Sequence, residues 1–138
     1  MLDQATFPRN KTCGDGLTPR GVSVIDRLGV LEEVKSVGQR IDYAKVIAPN
    51  GRSMTTNISQ STYDDAYMLA VPRFDLDNVL VKNAVATGAV LQEGCKVTEI
   101  TDKPNHVIVH GMILGEVCQF NAKYAIVATG ASMEAIAL

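Results

Sequence analysis

Two stretches of the chain repeat apolar residues with the spacing of an amphipathic helix. The first, residues 19–28, follows Thr18 and a proline and ends before Gly29. A threonine cap, a proline in the first turn and a glycine after the last turn are typical helix boundaries. The second stretch, residues 74–87, has the same period, and a shorter helix is predicted over residues 31–37.

Runs of strand length lie between and after these helices. A Pro-Asn-Gly turn at 49–51 predicts a β-hairpin of strands 41–48 and 53–58, and polar residues 59–65 predict a loop. Helices that alternate with apolar strands predict an α/β fold. Short turns join the strands between residues 96 and 120, which predicts an antiparallel meander. Further strands are predicted over residues 67–71, 89–91, 96–101, 106–110, 116–120 and 124–130.

Composition and charge narrow the class of protein. The chain has 138 residues, of which 46% are apolar and 20% charged, as expected of a globular chain. Its net charge of −2 gives no reason to expect a nucleic-acid partner. No apolar run approaches the roughly 20 residues of a membrane span, and Asp3 interrupts the start of any signal peptide. We therefore expect a cytoplasmic protein, with peripheral contact to a membrane left open.

The cysteines and histidines do not form a recognisable metal or disulfide pattern. Cys13, Cys95 and Cys118 are an odd number at wide spacing, unlike a disulfide framework or a zinc site. We expect the last two to be small buried apolar residues. His106 and His110 would share one face of a strand, but no further ligand pattern accompanies them, so no metal site is expected.

The loop before the first helix has the features of an anion site. Gly14 and Gly16 allow backbone N–H groups to approach a ligand, and the following helix N-terminus carries a partial positive charge. The cations Arg9, Lys11 and Arg20 flank the loop. Together these features favour a phosphate-like ligand. An ordinary helix entry with solvated basic residues explains them equally well, because short glycine motifs often occur by chance.

Residues 2–20 resemble the geranylgeranyl reductase family of flavoproteins, which includes menaquinone reductases. In that family an acidic residue ends a strand, and a Phe-Pro-Arg turn and a Cys-Gly-Asp-Gly-Leu loop follow, as they do here up to residue 17. Shorter matches lie at residues 71–77, 94–97 and 126–132. The resemblance is weakest across residues 40–66, where only the strand pattern fits.

The resemblance implies an α/β chain that is a partial FAD-binding Rossmann-like domain with an antiparallel β-meander, plus part of a small substrate-domain β-sheet. Residues 1–38 and 73–138 would belong to the FAD-binding domain, with the meander at about 96–121, and residues 39–72 to the substrate domain. The family's G-x-G-x-x-G turn, which holds the FAD pyrophosphate, and its C-terminal part have no counterpart here. We therefore expect an internal piece of a larger enzyme that is inactive alone.

The activity implied by the resemblance is reduction of C=C bonds in the isoprenoid chain of a geranylgeranyl lipid or of menaquinone. The cofactor would be FAD, reduced by NAD(P)H or another donor, and the flavin would carry the hydride chemistry. The lipid or quinone substrate would bring the protein to the membrane surface. Two alternatives stay open: an FAD-dependent monooxygenase or halogenase, and a non-catalytic truncated remnant. The loop at residues 13–17 favours the reductase, because the other flavoproteins usually place an arginine-bearing segment there.

Residue roles toward the nucleotide half of FAD follow from the same resemblance. Asp3 would accept hydrogen bonds from the ribose hydroxyls, Arg9 and Lys11 would lie near the adenosine or pyrophosphate, and the Val97 backbone would hold the adenine edge. In a purely structural interpretation, the charged residues would be solvated and Val97 would be a valine of the core. The turn that packs against the nucleotide would be formed by Ala128, Thr129 and Gly130, where the family commonly has an aspartate in the middle position.

Roles beside the flavin fall on one loop and one arginine. Arg73 would lie near the flavin, or it would pair with Asp75 or Asp77 on its own helix. Cys13 is the candidate catalytic residue, as a thiol that gives a proton to the alkene; nearby cations would favour its thiolate. Alternatively, a cysteine suits that position only by its size. The segment that passes over the flavin would be Cys13, Gly14, Asp15, Gly16 and Leu17.

Overall fold

The computed structural model describes residues 1–58 and 67–130, which form two compact units. We call residues 8–87 the helical unit, and residues 1–7 together with the described residues from 88 onward the meander unit. The described elements, in chain order, are β1 Gly16–Leu17, α1 Pro19–Arg27, α2 Leu31–Val37, β2 Gln39–Ile41, β3 Tyr43–Ile47, β4 Ser53–Asn57, β5 Met68–Ala70, α3 Arg73–Ala86, β6 Cys95–Lys103, β7 His106–Ile113 and β8 Glu116–Ala122.

The helical unit packs its three helices against a small antiparallel sheet with strand order β1-β5-β2. The α1 helix begins as predicted, because the Thr18 hydroxyl accepts a hydrogen bond from the Gly21 N–H at 3.3 Å. The observed bounds of α1, α2 and α3 agree with the predicted helices to within one residue at each end. The buried core of this unit consists of Val22, Ile25, Val30, Val34, Leu69, Val71, Leu76 and Val79.

The predicted hairpin is confirmed as β3 paired with β4. Gly51 takes a positive φ of 80°, which a glycine adopts without strain, and the Ala48 N–H donates to the Arg52 carbonyl at 2.8 Å. The hairpin therefore closes at the turn that the sequence indicates.

The meander unit contains the predicted antiparallel sheet of β6, β7 and β8. The register shifts between Val97 and Glu99, as at a β-bulge. The start of the chain lies beside β6, because the Cys95 N–H donates to the Asp3 carbonyl at 3.0 Å and the Asp3 N–H donates to the Gln92 carbonyl at 3.1 Å. Backbone hydrogen bonds thus hold Asp3 in place.

Two predicted strands are wrong. Residues 89–91 form no strand, and only an isolated parallel bridge between Leu2 and Gln92 lies next to them. Residues 124–130 form no strand either, and the side chain of Ile126 is 93% exposed. A strand requires hydrogen bonds to a neighbour, and no strand in the described parts of the chain pairs with either segment. The predicted loop at 59–65 lies outside the described residues, and the predicted domain boundaries stay a prediction.

Two thiols meet over the central strand of the meander. A Cβ added to Gly111 would lie 3.1 Å from the Cys95 Sγ and 3.4 Å from the Cys118 Sγ, so the missing side chain makes room for both sulfurs. Both cysteines are free. Burial is confirmed for Cys95, which is 2% exposed, whereas Cys118 is only half-buried.

Cys95 is expected to make the meander unit less stable in alkaline solution. Burial raises the pKa of its thiol above the ordinary value of 9.0, and hydrogen bonding to Cys118 acts in the same direction. The unfolded thiol therefore ionises first as the pH rises, and the free energy of unfolding falls from about pH 9 upward. Urea unfolding of the unaltered chain and of Cys95→Ala should show a steeper alkaline loss in the unaltered chain. Equal pH slopes for the two proteins would contradict the expectation.

Candidate functional site

A cleft of about 290 Å³ lies in the helical unit between the loop before β1 and the first turn of α3. The loop contributes residues 10–13 and Asp15, and the start of the helix contributes residues 72–74. The sequence predicted ligand binding by the loop, and the structure adds the helix start as the opposite wall.

Asp15 joins the two walls of the cleft. Its carbonyl accepts a hydrogen bond from the Val71 N–H at 2.8 Å, and its carboxylate Oδ1 accepts one from the Arg73 N–H at 3.2 Å. The first residue of α3 is preceded by Pro72, whose side chain makes no capping hydrogen bond. Asp15, 58 residues earlier in the chain, therefore supplies the negative charge that a helix N-terminus favours.

A buried carboxylate holds two arginines beside the cleft. The Asp77 Oδ1 accepts hydrogen bonds from the Nε and Nη2 atoms of Arg73 at 2.8 and 2.6 Å. Its Oδ2 accepts one from Nη1 of Arg9 at 3.2 Å. The Asp77 side chain is only 8% exposed. A carboxylate so far removed from water needs such partners, and both oxygens have them.

The Arg73 guanidinium is held by Asp77, and Arg73 shares the lining of the cleft with Cys13. Hydrogen bonding to Asp77 raises the pKa of Arg73 above its ordinary value, and hydrogen bonding to the Cys13 thiol adds a smaller contribution in the same direction. Cys13 is exposed and lines the same cleft as Arg73. Two residues that the sequence singled out separately, Cys13 and Arg73, therefore line one cleft.

The structure divides the other candidate residues between the two units. Lys11 lines the same cleft as Cys13, whereas Gly14 is exposed and a Cβ there would meet nothing within 4 Å. Gly16 and Leu17 form β1 and pair with β5, so they belong to the sheet. The candidates that lie in the meander unit are Asp3, Val97, Ala128, Thr129 and Gly130.

Sequence reasoning did not find the role of Asp77 as a shared partner of two arginines. Its spacing of four residues from Arg73 suggested one helical ion pair, and that pair is present. The contact with Arg9 spans 68 residues of sequence. No local pattern signals such a contact, because it depends on how the loop folds back onto α3.

Comparison with known proteins identifies the family of the chain. A family model described as "FAD binding domain" matches residues 1–135. A menaquinone reductase of Mycobacterium tuberculosis is 30% identical over 135 residues, which are 95% of this chain and 31% of that protein. A menaquinone reductase of Mycolicibacterium smegmatis is 36% identical over 108 residues, or 73% of this chain and 24% of that protein. The chain thus spans about a third or less of these relatives.

Solved structures show the same fold. A flavoprotein/dehydrogenase from Cytophaga hutchinsonii superimposes with a TM-score of 0.79 at 23% identity, covering 89% of this chain and 31% of that one. A flavin-dependent halogenase superimposes with a TM-score of 0.77 at 20% identity, covering 89% of this chain and 23% of that one. At these identities the superpositions establish an FAD-binding Rossmann-like fold, here with antiparallel sheets.

Proposed function

Because the chain belongs to the FAD-binding domain family, we propose that it forms part of an oxidoreductase that reduces C=C bonds in isoprenoid chains. The proposed substrate is a geranylgeranyl lipid or the side chain of menaquinone. The observation that carries the proposal is the cleft that Cys13 and Arg73 line together. The two menaquinone reductases support the substrate class.

The residues of the cleft fit the electron-rich edge of FAD. Asp15 already occupies the N-terminus of α3, so the positive charge available to a ligand comes from side chains. The cations at the site are Arg9, Lys11 and Arg73, and the carboxylates of Asp15 and Asp77 lie among them. When bound and reduced, FAD supplies the hydride chemistry that protein side chains lack.

The residues of this chain would position the substrate and supply the proton that the alkene carbon takes up. Pro72 and Phe74 give the cleft an apolar wall, and Phe74 is 40% exposed, as an isoprenoid chain would require. Arg73 would orient the flavin edge, and Cys13 would give a proton to the alkene carbon. A thiol in that role must lie at the surface of the cleft, where Cys13 lies.

The electron donor and the membrane contact belong to the same proposal. NAD(P)H or another donor would reduce the flavin, and the lipid or quinone would bring the enzyme to the bilayer surface. Among the residues that the structure describes, no helix is long and apolar enough to cross a membrane. Peripheral contact through the substrate is the mode that we propose.

An FAD-dependent monooxygenase or halogenase is the second candidate, and the superposition with a halogenase favours it. The two candidates differ in their co-substrates. A reductase adds two hydrogens to the substrate without oxygen, whereas the oxygenating flavoenzymes consume oxygen. An enzyme containing this chain should therefore be reduced anaerobically and mixed with menaquinone. The product is then exposed to air, which returns any quinol to the quinone. A product that is still two mass units heavier supports the reductase, and turnover only with oxygen contradicts it.

Arg73→Gln is expected to weaken flavin binding by the enzyme that contains this chain. The substitution removes the guanidinium charge beside the cleft, and one hydrogen bond to a charged group corresponds to about tenfold in affinity. Flavin titration by fluorescence measures the loss. Arg40→Gln is the matched control, since Arg40 pairs with Asp42 away from the cleft. Unchanged flavin affinity in Arg73→Gln, with only a lower melting temperature, would assign Arg73 a purely structural role.

A further inference from the structure

The loop that forms one wall of the cleft is attached at both of its ends to the opposite wall. At its start, Nη1 of Arg9 donates a hydrogen bond to Oδ2 of Asp77 at 3.2 Å. At its end, the Asp15 carbonyl accepts one from the Val71 N–H at 2.8 Å, and the Asp15 carboxylate accepts one from the Arg73 N–H at 3.2 Å. The cleft-lining residues 10–13 lie between these two attachments.

The segment between the attachments is not held by burial or by regular structure. Residues 10–14 are all exposed and form neither helix nor strand. A segment with so few buried contacts opens locally at a low cost in free energy. The position of this wall of the cleft is therefore set by the attachments at its two ends.

The attachment through Arg9 lies outside the cleft. The described residues that line the cleft include neither Arg9 nor Asp77. The side chain of Asp77 is 8% exposed and that of Arg9 is 22% exposed. The other carboxylate oxygen of Asp77 accepts hydrogen bonds from Arg73 at 2.6 and 2.8 Å, so one buried anion is the counter-ion of two arginines.

We propose that Arg9 and Asp77 form a latch that fastens the loop onto α3, so that both are positioning residues that shape the cleft without contacting its ligand. This role differs from the place near the nucleotide that the family resemblance implies for Arg9. The consequence of the latch for flavin binding rests on the proposed function, whereas its consequence for the loop does not.

The two roles of Arg9 predict opposite effects of removing the Asp77 charge. If Arg9 contacts the phosphates of FAD, Asp77→Asn removes a competing anion, and FAD binds more tightly. If Arg9 belongs to a latch, the same variant leaves two arginines without their shared counter-ion. The loop then separates from α3, and FAD binds more weakly. The direction of the change therefore separates a latch from a ligand contact.

The first measurement follows the loop itself, in the 138-residue chain with no flavin present. Endoproteinase Lys-C cleaves after lysine, and mass spectrometry of the fragments separates cleavage after Lys11, in the loop, from cleavage after Lys35, in α2. Asp77→Asn is expected to speed cleavage after Lys11 about tenfold, because cleavage follows the population of the opened form. Cleavage after Lys35 should keep its rate, since α2 takes no part in the latch.

Two control variants change the charge of the helical unit without breaking the latch. Asp75→Asn removes a carboxylate from the first turn of α3, and Arg27→Gln removes a cation from the last turn of α1. Both should leave cleavage after Lys11 unchanged. In the Asp77→Asn background, Arg9→Gln should not speed this cleavage further, because the latch is already open.

The second measurement is the FAD affinity of the enzyme that contains this chain, by fluorescence titration. Asp77→Asn is expected to weaken FAD binding about tenfold. Tighter or unchanged binding overturns the role of the latch in the cleft. Unchanged cleavage after Lys11, or an equal acceleration after Lys35, overturns the latch itself. Should Asp77→Asn fail to fold, Arg9→Gln leaves Asp77 paired with Arg73, and it should likewise speed cleavage after Lys11 alone.

The outcome is distinguishable from failure of the proposed function. No flavin or substrate takes part in the cleavage, so a negative result there leaves the reductase proposal standing. Conversely, an enzyme that consumes oxygen instead of reducing an alkene would still show whether Arg9 and Asp77 hold the loop on α3.

Discussion

Replacing Cys13 with alanine is expected to slow alkene reduction about 100-fold or more in the enzyme that contains this chain, the usual scale for losing an acid catalyst. Reduction of the flavin by the electron donor should continue at the parental rate, because that step needs no proton from the thiol. Stopped-flow absorbance of the flavin separates the two half-reactions. The expected result is a normal first half-reaction followed by a slow second one.

Cys13→Ser is the companion variant, because a hydroxyl keeps the size and polarity of the side chain but is a far weaker acid than a thiol. It should be nearly as slow as the alanine variant. If Cys13→Ala reduces alkenes at the parental rate, Cys13 is not the proton donor. The cysteine would then serve the loop by its size.

Gly38→Ala is expected to destabilise the helical unit by about 2 kcal/mol, within the usual range for overpacking a filled core. A Cβ at this position would lie 2.7 Å from Cγ2 of Val71 and only 3.1 and 3.2 Å from the carbonyl oxygens of Val34 and Ala70. Val71 is fully buried, and two of the three neighbours are backbone atoms, so none of them can move cheaply. Urea unfolding of the chain measures the change.

The matched control is Gly14→Ala, because a Cβ at Gly14 would meet no atom within 4 Å and its φ is not positive. Its free energy of unfolding should stay within about 0.5 kcal/mol of the unaltered value, as for most surface substitutions. The backbone at Gly38 has φ −113° and ψ 168°, which any residue adopts. Equal stability of Gly38→Ala and Gly14→Ala would therefore show that packing around Val71 relaxes more easily than the geometry indicates.

The helices could be predicted because their signals are local. The threonine cap and the apolar period define α1 within a few residues of sequence, and its observed bounds are those expected to within one residue. The hairpin and the meander were predictable for the same reason, since each strand pairs with its neighbour in sequence across a short turn. Local chemistry is enough wherever the interacting residues are close along the chain.

The site was only partly predictable. The glycine-rich loop and Arg73 could be singled out, from anion-binding features and from a family resemblance. Their placement around one cleft could not be derived, because Cys13 and Arg73 come together only when the loop folds onto the first turn of α3. The placement of Asp15 at the N-terminus of that helix could not be derived either, because the contact joins residues 58 positions apart in sequence.

The sequence by itself therefore determined the helices, the hairpin, the meander and the residue types of the site, since short-range periodicity and turn chemistry specify all of these. Tertiary structure alone decided which apolar segments become strands. Residues 124–130 have a strand-like composition but form no strand, because pairing depends on a neighbour rather than on composition. Tertiary structure also decided the charge arrangement of the cleft, because burying Asp77 between Arg9 and Arg73 requires two distant segments to pack together.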